Sequence, residues 1–168
     1  MRFGLTWAAP VYFLFVAVLL VITFIDIDHQ IIPDRLSLPG IPLFFALAFL
    51  VPHVSWQESL IGILAGGGIL YAVALGYQLV TGRDGMGGGD IKLLAMIGAL
   101  IGWQGILFTI FFSSLSGTLV GLLLALATGG SMKSRLPFGP FLAAGAIAYI
   151  FFGPELIHWY LGIAGRSG

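Results

Sequence analysis

The chain contains no cysteine, which excludes disulfide bonds, thiolate catalysis, zinc–thiolate sites and iron–sulfur clusters. It is also poor in charge, because only 8% of its 168 residues are Asp, Glu, Lys or Arg, against about 25% in an ordinary soluble domain. The seven basic and seven acidic side chains balance, so there is no strongly basic surface for nucleic acid. The composition therefore excludes a soluble enzyme and a nucleic-acid-binding protein.

Apolar residues dominate instead, at 59% of the chain and a mean hydropathy of +1.07. A transmembrane helix needs roughly 20 predominantly apolar residues. Six stretches of the chain predict an all-α membrane bundle of about six helices. They are apolar on every side, whereas the strands of a membrane β-barrel alternate polar and apolar residues. The six stretches are Trp7–Ile25, Ser37–Val54, Leu60–Thr81, Ile91–Gly102, Ile106–Thr128 and Phe138–Leu156. The fourth is short, so it either begins deeper in the membrane or ends in a tight hairpin into the fifth.

We expect one domain embedded in the lipid bilayer over residues 1–168, and its loops differ in charge between the two sides. Five of the seven basic residues fall on one side: Arg35, Arg83, Lys92, Lys133 and Arg135. Because loops rich in Lys and Arg stay in the cytoplasm, this distribution predicts that this side is cytoplasmic.

Acidic residues are concentrated on that same side, in the stretches 26–34 and 84–90. Asp26 directly follows the first apolar run. One further helical turn would point Asp26 into the bundle and Asp28 about 200° away from it. An acidic side chain facing a membrane bundle is a candidate functional group. For Asp28 and Asp34 a solvated loop or a helix cap is the better interpretation.

The second acidic stretch contains Gly85, Gly87, Gly88 and Gly89 immediately before Asp90. It does not fit a nucleotide-binding loop, which requires Gly-Lys-Ser/Thr or a third glycine where Asp90 stands. A loop almost without side chains lets an extended peptide run close to the backbone, with a carboxylate beside it. Asp is also a favoured N-cap residue, but a cap does not require the glycines.

Two such carboxylates could act together if Asp26 and Asp90 face each other. Their charges would repel by about 4 kcal/mol at about 4 Å and an effective dielectric constant of about 20. That energy equals roughly three pK units, so the pair would share one proton. The ionised carboxylate could draw a proton from water while the protonated one polarises a carbonyl group. This chemistry requires no metal and no cofactor, and we expect neither.

These residues closely resemble the type IV prepilin peptidases, a family of intramembrane aspartyl proteases with a Gly-x-Gly-Asp motif. The resemblance rests on Asp26 with Ile32-Pro33-Asp34, on Gly87-Gly88-Gly89-Asp90-Ile91-Lys92 and on Leu136-Pro137-Phe138-Gly139-Pro140. It covers nearly the whole chain, and the two aspartates are 64 positions apart, as the family would have them.

The resemblance implies a six-helix fold with Asp26 and Asp90 as the catalytic pair. From the glycine loop itself we expect Gly87 and Gly89 to position the substrate or the loop. The resemblance also implies a protein of the bacterial inner membrane that cuts precursors on the cytoplasmic side. The substrates and partners would be type IV prepilins and the pseudopilins of type II secretion, whose short basic leaders are removed.

One feature departs from many members of the family, which carry an additional N-terminal region with a cysteine zinc motif and N-methylating activity. This chain has no cysteine, and Met1 lies at the edge of the first helix. We therefore expect the peptidase portion alone, without methyltransferase activity. A second hypothesis is a proton- or ion-coupled transporter, because transporters also contain paired acids and broken helices. Transporter acids usually lie near the midplane and within repeats, neither of which is predicted here.

Overall fold

The computed structural model describes residues 8–52, 54–82, 87–127 and 137–164, with side chains described as far as residue 153. Five helices follow one another along the chain: α1 (Ala8–His29), α2 (Asp34–Ala48), α3 (Trp56–Thr81), α4 (Gly88–Ala127) and α5 (Gly139–Ala164). No strand occurs within the described ranges. The predicted all-α fold is thereby confirmed.

The predicted number of about six membrane spans is not confirmed. Within the described ranges, α1, α3 and α4 are long and apolar enough to cross a membrane, with mean hydropathies of 2.6, 1.9 and 2.0. By contrast, α2 has only 15 residues and contains Pro39 and Pro42. It begins directly after Pro33, earlier than predicted, and ends at Ala48 instead of at residue 54.

The start of α3 is set by a capping box. The hydroxyl of Ser55 accepts a hydrogen bond from the Glu58 amide at 3.2 Å, and the Ser55 amide donates to Glu58 Oε2 at 2.8 Å. These bonds satisfy backbone donors that the first helical turn leaves without partners. The helix therefore begins at Trp56, four residues before the predicted start.

Helix α4 is folded back on itself at Gly102, where φ is +71° and ψ is −178°. Eight residues of a straight helix span about 12 Å. A methyl group placed at Gly98 would nevertheless lie 3.1 Å from Ile106 Cγ1, so the chain must reverse between them. We refer to residues 88–101 as the first arm of α4 and to residues 103–127 as its second arm. The reversal lies where the sequence predicted the fourth segment to end.

The first arm of α4 is the centre of the bundle, since every residue from Leu93 to Gly102 is buried. Close approach of the neighbouring helices depends on residues with little bulk: a methyl group at Gly66 would lie 2.9 Å from the carbonyl carbon of Leu94. Ser59 of α3 donates a hydrogen bond to the Ala99 carbonyl at 2.5 Å. The aspartate at the start of this arm is therefore carried by a tightly packed element.

Candidate active site

Asp26 lies in the last turn of α1, which continues beyond the apolar run to His29. Its side chain is 5% exposed, whereas Asp28 is exposed. The helical period therefore places the two carboxylates as the sequence predicted. A buried carboxylate is costly unless other groups compensate its charge, so its surroundings determine what it can do.

The chain turns sharply after α1. Gln30 has a positive φ of 53°, and its amide donates to the Asp26 carbonyl at 2.8 Å. Pro33, with extended backbone angles, then precedes α2. This turn brings Ile32 back against the end of the bundle, where its side chain is 7% exposed.

Asp90 is the third residue of α4 and is partly buried. Its amide donates to the Gly87 carbonyl at 3.2 Å, which closes the turn into the helix. The Asp90 carboxylate lies within electrostatic range of the Asp26 carboxylate. The structure thus brings together the two aspartates that the sequence singled out, from elements 64 positions apart.

The two glycines predicted to position a substrate differ in their surroundings. A methyl group at Gly89 would lie 2.7 Å from Ile32 Cβ, so this glycine allows the chain before α2 to pack against α4. Gly87 is exposed, and a methyl group there would meet only Asp90 Oδ2, at 3.9 Å. Of the two, only Gly87 leaves open space beside a carboxylate. The role of both glycines in substrate positioning stays a prediction.

The third part of the site comes from α5 and was not predicted from the sequence. The Gly139 amide donates a hydrogen bond to Asp26 Oδ2 at 3.0 Å, across 113 positions. A methyl group at Gly139 would lie 2.5 Å from the same oxygen, so only glycine fits while the Asp26 carboxylate keeps this position. The signal in the sequence was a glycine between Phe138 and Pro140, whose partner could not be read from the sequence.

Lys92 is paired with the carboxylate of Asp34, with Nζ 2.7 Å from Oδ2. The pair joins the start of α4 to the start of α2 beside the two aspartates. Its side chains are 34% and 56% exposed, so the contribution to stability is about 1 kcal/mol or less.

Within the described ranges, no group of three His, Asp or Glu side chains is arranged to hold a metal ion. Several residues used in the sequence predictions lie outside the described residues: Trp7, Arg83, Asp84, Gly85, Thr128, Lys133, Arg135 and Leu136. The site is accordingly built from two carboxylates, a backbone amide and an open glycine. Such a group of residues can transfer protons to and from a bound amide.

Comparison with known proteins identifies the family. Residues 13–122 match the type IV leader peptidase family. The chain is 38% identical over 164 residues to the prepilin leader peptidase/N-methyltransferase of Pseudomonas aeruginosa, covering 98% of this chain and 57% of the relative. The corresponding protein of Aeromonas hydrophila is 36% identical over 155 residues, covering 92% and 53%.

The chain therefore spans about half the length of the curated relatives it matches. No solved structure matches it significantly. The transporter hypothesis is not supported, because the matching family and relatives are leader peptidases. Together with the long apolar helices, the match indicates an integral membrane protein. The chain belongs to the type IV leader peptidase family.

Proposed function

We propose that this chain is an aspartyl endopeptidase that removes the leader from type IV prepilins and from type II secretion pseudopilin precursors. The observation that carries the proposal is the meeting of Asp26 and Asp90 within a chain of this family. Leader peptidase activity is also what the names of the relatives state. The proposal covers leader removal, the activity that the family matched over residues 13–122 is named for, and does not extend to methyl transfer.

In the proposed reaction, one carboxylate of the pair is ionised and the other carries the shared proton. The ionised carboxylate takes a proton from water, whose oxygen then bonds to the carbonyl carbon of the scissile peptide. The protonated carboxyl group gives its proton to the carbonyl oxygen, which produces a tetrahedral diol. The carbon–nitrogen bond breaks as the first carboxyl group protonates the amine, and a diol proton returns to the second carboxylate.

The substrate would approach along Gly87, which is exposed and has Asp90 as its neighbour. A precursor strand can lie against this backbone without meeting a side chain. We place the site at the cytoplasmic border of the bacterial inner membrane. Arg35 and Lys92 lie at the same end of the bundle as the aspartates, and basic residues favour the cytoplasmic side.

The test is cleavage of a purified prepilin by the full chain in detergent, followed by electrophoresis and mass spectrometry. We expect Asp26→Asn and Asp90→Asn each to lower kcat by about 1,000-fold or more, a size typical of a removed catalytic group. Asp28→Asn is the matched control, because it makes the same change on an exposed residue of the same helix. It should cleave as the unmodified chain does. Normal cleavage by either of the other two variants would overturn the assignment.

A further inference from the structure

The first turn of α5 is arranged so that the amide of its first residue, Gly139, has no partner within the helix. The amides of Phe141 and Leu142 both donate to the Phe138 carbonyl, at 3.1 and 3.2 Å. Pro140 has no amide hydrogen. In this first turn the Gly139 amide is therefore the donor that points out of the helix, and its partner is Asp26 Oδ2.

This hydrogen bond favours the ionised form of Asp26 for two reasons. A carboxylate accepts a hydrogen bond more strongly than a carboxylic acid does, and the N-terminus of a helix carries partial positive charge. Both groups are buried, which strengthens the interaction because little water competes for it. Within the described residues, Asp90 receives no corresponding donor from the protein.

We propose that Gly139 is a positioning residue that fixes the Asp26 carboxylate and divides the work of the pair, with Asp26 as the base and Asp90 as the proton donor. This inference rests on the proposed function and goes beyond it, because it assigns a separate role to each aspartate. In the reaction above, Asp26 takes the proton from water and later gives it to the leaving amine. Asp90 gives its proton to the carbonyl oxygen and recovers one when the diol collapses.

The first test is Gly139→Ala, which places a methyl group 2.5 Å from Asp26 Oδ2 and 3.2 Å from Cγ. Gly117→Ala is the matched control, because its methyl group would meet Phe138 and Phe141, the neighbours of Gly139, at an ordinary 3.7 Å. We expect Gly139→Ala to lower kcat by about 10- to 100-fold, the size of a lost hydrogen bond to a charged group. KM should change less than about twofold, because the amide does not bind substrate.

Unchanged kcat in Gly139→Ala would overturn the proposal. So would an equal loss in Gly117→Ala, because packing around the phenylalanines would then explain both results. The thermal unfolding midpoint of both variants is measured in detergent, to check that each one is folded. A second measurement does not depend on whether Gly139→Ala folds.

This second measurement is the infrared spectrum of the full chain labelled with carboxyl-carbon-13 aspartate, recorded as the pH is raised from about 5 to about 8. We expect the carboxylic-acid carbonyl band to persist to a higher pH in Asp26→Asn than in Asp90→Asn, because the remaining Asp90 lacks the amide donor that favours the ionised form of Asp26. The reverse order, or the same midpoint in the two variants, would overturn the division of roles. The spectrum reports protonation whether or not the chain cleaves a prepilin, so failure of this inference is distinguishable from failure of the proposed function.

Discussion

Gly89→Ala tests whether the approach of α4 to the turn after α1 holds the two aspartates together. The added methyl group would lie 2.7 Å from Ile32 Cβ. Carbon atoms in contact prefer about 3.5–4.0 Å, so the two groups would overlap by roughly 1 Å. Because Cβ is fixed to the backbone, a side-chain rotation cannot relieve this overlap, and the start of α4 must move away from Ile32. Asp90 is the next residue and would shift with it.

Overpacking of this kind costs about 1–3 kcal/mol. If displacing Asp90 raises the activation free energy of cleavage by that amount, kcat/KM falls by about 5- to 150-fold. The measurement is kcat/KM for prepilin cleavage, together with the thermal unfolding midpoint of the same preparation. A lowered midpoint is expected as well, because the overlap is present without substrate.

Gly88→Ala provides the matched control for this prediction. The two glycines are adjacent at the start of the same helix, but a methyl group at Gly88 would have no atom within 4 Å. Ala is also the better helix former, so we expect wild-type cleavage with equal or slightly higher stability. Equal losses in both variants would refute the reasoning, as would full activity and stability in Gly89→Ala.

Two further predictions concern stability, measured as the thermal unfolding midpoint in detergent. Gly102→Ala should destabilise the chain by about 1–3 kcal/mol, because φ of +71° combined with an extended ψ suits only glycine. Gly68→Ala, in open space on α3, should not destabilise it; similar midpoints in the two variants would contradict the role of the reversal. Ser55→Ala should cost about 1 kcal/mol by removing the cap that Glu58 completes. Ser114→Ala, the same change at an exposed serine, should leave the unfolding midpoint unchanged. An equal fall of the midpoint in both variants would refute the role of the cap.

Much of the local structure could be predicted because it depends on nearby residues. The helical period is enough to place Asp26 toward the bundle and Asp28 away from it. The glycines before Asp90 indicate a backbone with almost no side-chain bulk beside a carboxylate, and Gly87 is exposed next to Asp90. The start of α3 was also readable, since Ser55 and Glu58 have capping-box spacing, but the apolar pattern led to a later boundary.

Contacts between distant parts of the chain could not be predicted in the same way. The hydrogen bond from Gly139 to Asp26 depends on how α5 packs against α1, and no local pattern encodes that contact. The pairing of Lys92 with Asp34 likewise depends on how α4 approaches α2. Apolar length alone also placed the end of α2 six residues too late, at residue 54 instead of at Ala48.

The central claim is that Asp26 and Asp90 act as one catalytic unit. Its most direct test is the residual rate of prepilin cleavage in Asp26→Asn, Asp90→Asn and the double variant, measured under single-turnover conditions. When two groups act as a unit, removing either one abolishes the contribution of both. The double variant should therefore be no slower than the slower single variant. A loss in the double variant equal to the product of the two single losses would show independent action and would contradict the claim.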